Sequence, residues 1–227
     1  MVPDGPGVAG SPRPVAGLLL TGGASRRMGF DKASLVVGGT PLAVRLGGVL
    51  AAVASPALEV GPGRSSLEAV SEEPPGGGPL VALVAGAVAL RSRGVAGPVI
   101  VVACDMPHLT AQALAVLAAW PGDGSVVPVI GGAAQPLAAR WSPADLASAA
   151  RLVADGVRSM KALLALATPQ TADERAWPPG AAARAFADVD VPADLVWLGL
   201  PSAHGEGPGA PSAQASRAAP GRNGGVA

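Results

Sequence analysis

Val15-Ala16-Gly17-Leu18-Leu19-Leu20 runs without a charge into Thr21-Gly22-Gly23-Ala24-Ser25-Arg26-Arg27-Met28-Gly29-Phe30-Asp31-Lys32, and the fold class turns on how this junction is read. A short, continuous apolar run closed by a glycine pair is the mark of a strand buried on both faces. The segment behind it combines glycines, two hydroxyls, two arginines and a lysine. Glycine lets backbone N–H groups approach an anion closely and line up as a nest, while Arg and Lys supply charge. The spacing is neither Walker A nor GxGxxG, so neither an NTPase nor a dehydrogenase follows. On the residues alone the segment is a phosphate-binding loop or a Gly-rich turn with solvated arginines. The basic cluster placed directly behind the first strand favours the former.

Outward from this junction, apolar strands and helices alternate. Pro98–Ala103 is the strongest strand, β-branched and uncharged. Leu58–Val60, Ser125–Ile130, Gln135–Arg140 and Phe186–Val191 read as further strands, with a hairpin at Gly131-Gly132. Helices are expected at Pro41–Val53, Pro79–Leu90, Thr110–Trp120, Ser142–Ala154, Ser159–Leu166 and Pro192–Leu198, with Thr110 and Ser142 as N-caps. Uninterrupted apolar strands between helices imply a mostly parallel sheet covered on both faces, an α/β fold. The ends differ. Residues 1–13 and 200–227 are rich in Pro, Gly, Ala and Ser and lack periodicity, so they are expected to be disordered tails around one domain at 14–199.

Composition excludes several classes. The 227 residues carry 16 basic and 16 acidic side chains, a balance without the electrostatic footprint of a nucleic-acid binder. One cysteine permits neither an internal disulfide nor a Cys-based zinc site, and fits a reducing, cytoplasmic compartment. Mean hydropathy is high, +0.42. No charge-free apolar run reaches the ~18 residues of a membrane span, and the first residues do not form a signal peptide.

Ligands of open α/β sheets bind beyond the carboxyl ends of the strands. Besides the first loop, two such ends carry polar residues. Cys104-Asp105-Met106-Pro107-His108 places a carboxylate at the tip of the strongest strand, suited to hold Mg²⁺ against phosphates or else to cap the turn before Thr110. Cys104 reads as a small buried hydrophobe and His108 as a turn residue. Asp188 and Asp190, two residues apart, would share one strand face, with a functional and a structural role equally open. Asp194 falls in the first turn of a helix, where negative charge is favourable.

These segments, in this order, resemble the molybdenum cofactor guanylyltransferases, small nucleotidyltransferases built on a Rossmann-like sheet of three α/β/α layers. The family pattern L-A-G-G-x-S-x-R-M-G-x-D-K is met from Leu20 to Lys32 except at Thr21. G-P-L-A-G is similar to Gly78-Pro79-Leu80-Val81-Ala82, and C-D-x-P to Cys104–Pro107. A q-P-L segment matches Gln135–Leu137, and N-x-N-T-P-x-D-L matches Asp188–Leu195 with both Asn replaced by Asp and Thr by Val. The resemblance implies transfer of GMP from Mg-GTP to the terminal phosphate of molybdopterin, with release of pyrophosphate. It implies that Leu20, Thr21, Gly22, Gly23 and Ser25 hold base and phosphates, that Arg27 and Lys32 neutralise the phosphates, and that Asp105 holds Mg²⁺. Glu73 (or its neighbour Glu72) and Gly78 would join the nucleotide site, and Asp190 would be a second Mg²⁺ ligand. Gly22-Gly23 favours GTP, since cytidylyl-transferring relatives read L-A-A-G. Molybdoenzymes or their chaperones would be downstream partners. The alternatives are a cytidylyl- or other nucleotidyltransferase acting on a different phosphorylated acceptor, and a non-catalytic cofactor-binding module.

Overall fold

In the first strand, β1 (Ala16–Leu20), Leu18 and Leu20 join the core on one face and Leu19 the core on the other. A strand with no polar side belongs in the middle of a sheet covered on both faces, and β1 lies there. The structure, a computed structural model, describes residues 14–22, 32–73, 75–189 and 191–200. After β1 come a 3-10 turn (Lys32–Ser34), a small ribbon of β2 (Val36–Val37) and β3 (Thr40–Pro41), α1 (Leu42–Ala51), β4 (Ala57–Val60) and β5 (Glu68–Val70). Next are α2 (Pro79–Ser92), β6 (Val99–Ala103), α3 (Ala111–Ala118), β7 (Val126–Ile130), β8 (Ala133–Ala134) and β9 (Ala138–Trp141). The chain closes with α4 (Pro143–Ala154), α5 (Met160–Ala167), β10 (Gln170–Asp173), α6 (Ala181–Ala185) and α7 (Pro192–Trp197).

The main sheet runs β10-β7-β9-β6-β1-β4-β5, with β8 added to β7. β1 pairs in parallel with β4 and β6, β4 with β5 and β10 with β7, while β9 is antiparallel to both its neighbours. The chain winds from β1 outward through β4 and β5, then crosses back over β1 to β6. Winding therefore reverses between β1 and β6, the switch point at which open α/β sheets bind ligands. One face is covered by α1, α3, α6 and α7, the other by α2, α4 and α5. Contact with the sheet is closest where glycine removes a side chain. A Cβ at Gly86 of α2 would lie 2.6 Å from Leu18 Cδ2 and 2.7 Å from Val60 Cγ2, and one at Gly17 of β1 would lie 2.8 Å from Leu50 Cγ of α1.

Two expected strands differ. The Gly131-Gly132 turn joins β7 to the two-residue β8, not to a strand over Gln135–Arg140. The chain turns at Gln135, where the Ala138 amide donates to the Gln135 carbonyl, and β9 starts only at Ala138. Phe186–Val191 forms no strand among its described residues. Phe186 ends α6 and stacks edge-on against Trp177, centroids 5.1 Å apart, so its apolar–acid alternation does not report a pleat.

Candidate active site

Three parallel neighbours, β1, β4 and β5, end side by side, and the residues just beyond them enclose a cleft of about 350 Å³. Thr21 and Gly22 line it from β1, Gly61 and Arg64 from β4, and Ser71 and Glu72 from β5. This size falls within the range of small-ligand sites. A Cβ at Gly22 would stand 3.6 Å from Glu72 Oε1, so the bare backbone keeps that space open. Glu72 Oε1 accepts from the Gly76 amide at 2.8 Å. Its Oε2 is buried and has no hydrogen-bond partner among the described residues. A buried acceptor at a cleft wall takes its donor from water or from a ligand that enters the cleft. Glu73 is exposed and outside the lining.

The wall on the β4 side is held by Glu59, a fully buried acid between Leu58 and Val60. Its carboxylate accepts from the Thr21 hydroxyl at 2.5 Å, the Gly63 amide at 2.9 Å, the Arg64 amide at 2.7 Å and the Ser65 amide at 2.7 Å, besides the Ser65 hydroxyl at 2.6 Å. Burial pushes this carboxyl up, but the hydrogen bonds from Ser65, Thr21 and Arg64 outweigh it and leave it below its ordinary value.

Asp105 lies across β1 from the cleft, just past β6. The Cys104 amide donates to the Leu20 carbonyl at 3.0 Å, which brings the ends of β1 and β6 together. The Asp105 carbonyl accepts from the Val189 amide at 2.8 Å, so the segment carrying Asp188 crosses beside the end of β6. Arg45 of α1 braces the following loop, its Nε donating to the Pro107 carbonyl at 3.0 Å and its Nη2 to that of Leu109 at 3.3 Å. His108 Nε2 lies 2.9 Å from the Leu198 carbonyl. Cys104, the one cysteine of the chain, is buried. The described residues hold no cluster of three or more His, Cys, Asp or Glu able to take a metal by themselves. One carboxylate completed by phosphate and water is the donor set that suits Mg²⁺, so Asp105 fits that ion.

Lys32 opens the 3-10 turn, and Arg64 Nη1 ties that turn to the cleft through Ser34 Oγ at 2.9 Å. Gly78 caps the start of α2 at φ 93, a conformation that favours glycine. Asp188 is exposed. Arg158, a further basic residue of the sequence, donates to the carbonyls of Val153 and Val157 at the end of α4. Gly23, Ser25, Arg27 and Asp190 lie outside the described residues. The sequence reading missed Glu59, Arg64 and Arg45; the one signal for Glu59 is an acid inside the apolar run Ala57–Val60.

A family model described as the MobA-like NTP transferase domain matches residues 17–188. A probable molybdenum cofactor guanylyltransferase of Opitutus terrae is 38% identical over 168 residues, covering 66% of this chain and 78% of that protein. One from Mycobacterium tuberculosis is 38% identical over 163 residues, covering 66% and 79%. Among solved structures, molybdopterin-guanine dinucleotide biosynthesis protein A of Archaeoglobus fulgidus matches with a TM-score of 0.65 at 20% identity, over 81% of this chain and 96% of that one. The 2-C-methyl-D-erythritol 4-phosphate cytidylyltransferase of Thermus thermophilus matches with a TM-score of 0.54 at 18% identity, over 81% and 97%. At these identities the two structures speak for the fold alone, and they bear out the expected three-layer Rossmann-like nucleotidyltransferase fold.

Proposed function

We infer, on the premise that the chain belongs to the MobA-like NTP transferase family, that it transfers GMP from GTP to the terminal phosphate of molybdopterin. The phosphate oxygen of the acceptor attacks the α-phosphorus, the bond from that phosphorus to the β-bridging oxygen breaks, and pyrophosphate leaves with molybdopterin guanine dinucleotide as product. No protein nucleophile is needed, which agrees with a buried Cys104 and a His108 ring engaged by a backbone carbonyl. The protein's work is positioning and charge neutralisation.

The observation that carries the reading is the open acceptor of Glu72 in the cleft beyond β1, β4 and β5. Guanine offers two adjacent donors, N1–H and the 2-amino group, to such a carboxylate, and this supports GTP as the nucleotide. The role foreseen for Glu73 thereby moves one residue, to Glu72. Leu20 to Gly23 and Ser25 would support base and phosphates, Gly78 would shape the start of α2 beside them, and Lys32 and Arg27 would neutralise the triphosphate. Asp105 would hold Mg²⁺, which supplies further positive charge at the phosphates when bound. Asp190 follows Val189, whose amide bonds Asp105, and this supports it as a second ligand. The product would pass to molybdoenzymes or their chaperones. A cytoplasmic setting fits a chain with a single cysteine. No helix among the described residues is long and apolar enough to cross a membrane.

The test is pyrophosphate release with Mg²⁺, molybdopterin and GTP, CTP or ATP. Release with GTP is expected. Release with CTP alone would make the chain a cytidylyltransferase, and nucleotide binding without release would make it a cofactor-binding module.

A further inference from the structure

The loop from Gly61 to Ser65 forms one wall of the cleft, and it is folded around an anion supplied by the protein. Three consecutive amides, those of Gly63, Arg64 and Ser65, converge on the Glu59 carboxylate, as backbone nests do on phosphates. The Thr21 hydroxyl joins them from β1. The result is a very close approach of the two walls. A Cβ at Gly61, φ +151, would lie 2.1 Å from Thr21 Oγ1 and 2.9 Å from the Gly22 amide nitrogen. On its other side the loop leans on α1, where Gly47 leaves room for Ser65. Sheet stability alone would be met by an apolar side chain at position 59, as at Leu58 and Val60. An ionised carboxylate with five donors is needed only if the loop must keep this shape. Thr21, the one departure in the first loop from the related pattern, directs its hydroxyl to Glu59, so the two unusual residues form one device.

We propose that Glu59 is a positioning residue of the nucleotide cleft: through the amides of residues 63–65 and the Thr21 hydroxyl it fixes the spacing between the Gly61–Ser65 loop and the Thr21-Gly22 backbone. Glu59 touches no substrate and acts through those two walls. The inference rests on the reading of the cleft as the nucleotide site. Glu59→Gln keeps the shape, removes the charge and turns an amide N–H₂ toward groups that themselves donate. Thr21→Val replaces the hydroxyl with a methyl, and Thr21→Ser retains the hydroxyl.

Two quantities decide: GTP affinity by calorimetry, and hydrogen exchange of the residue 63–65 amides without nucleotide. Losing a charge-assisted bond is worth enough to weaken GTP binding about tenfold and to speed exchange at those three amides by a similar factor in Glu59→Gln. Exchange in β6 should not change, and KM should carry the effect rather than kcat. Thr21→Val should move both quantities in the same direction, and Thr21→Ser should restore them. If Glu59→Gln fails to fold, the Thr21 pair decides by the same two readouts. Wild-type binding of GTP with equal affinity in the variants, or unchanged exchange at residues 63–65, overturns the proposal. Absence of any nucleotide binding by the wild-type chain is a different result: it removes the nucleotide reading of the cleft, and this inference with it.

Discussion

Gly48→Ala and Gly86→Ala are the same chemical change in two helices, and only the first should raise stability. Both replace a helical glycine, and alanine is favoured there by about 1 kcal/mol. Gly48, in α1, is exposed and has nothing within 4 Å of the added Cβ, so the gain stands alone. At Gly86 the new methyl would come within 2.7 Å of Leu18 Cδ1 and Val60 Cγ2. Leu18 is wholly buried in β1, and Val60 is buried and β-branched, so neither can swing aside. Forcing a methyl into such a core costs about 1–3 kcal/mol, which offsets or exceeds the helical gain. The two variants should therefore differ by about 1–3 kcal/mol, or roughly 2–12 °C in Tm for a chain of this size. Thermal melts followed by circular dichroism, with urea titrations to convert the shifts to free energies, measure it. An equal rise in Tm for both variants would refute the argument, since α2 would then have slack against the sheet.

Lys32→Ala should lower turnover on the order of 10²-fold or more if the ammonium neutralises transferring phosphate; a loss under about threefold in steady-state rate would place Lys32 outside the reaction. Asp105→Asn should abolish Mg²⁺-dependent turnover with an unchanged circular dichroism spectrum, and retained activity would remove the metal assignment. Asp190→Asn should weaken the Mg²⁺ dependence of the rate, whereas an unchanged metal titration would leave Asp105 as the sole carboxylate ligand. Glu59 has a folded pKa below its ordinary value of 4.5, so its contribution to stability is present above that value and lost as the pH falls through the folded one. The stability gap between wild type and Glu59→Gln should accordingly be full at neutral pH and shrink on acidification below about 4.5, as urea melts across pH would show.

What was legible in the chain is what burial writes on both faces of an element. β1 and β6 are apolar throughout because the sheet is covered on both sides, and both read directly. The caps read too: the Thr110 hydroxyl accepts from the Ala113 amide at 3.2 Å and that of Ser142 from the Asp145 amide at 3.1 Å. β5 and β10 were not legible, since β5 has no buried residue and β10 only Ala172, so backbone pairing holds them without an apolar pattern. At Phe186 alternation misled, because its ring answers to Trp177 rather than to a sheet neighbour. In the candidate site, the glycines and Asp105 are proposed from residue type and place. Choosing Glu72 over Glu73 needs the turn through Gly76, which returns an amide to Glu72 alone. Glu59 is harder, because nothing local says that an acid in a strand has four donors waiting in the next loop and a fifth at the end of β1.

The loop behind Asp105 is braced from three places far off in the chain: Arg45, the Val189 amide, and the Leu198 carbonyl, 90 positions from His108. These ties join segments at both ends of the body, so the loop is finished late in any order of assembly that starts from the ribosome. A nascent chain that has completed β1 through β6 has the cleft and the Asp105 side chain, yet lacks the bonds from the final segment. A chain shortened before Val189 would keep β1, β4 and β6 at the sheet's centre while losing the Val189 and Leu198 ties to the loop behind Asp105.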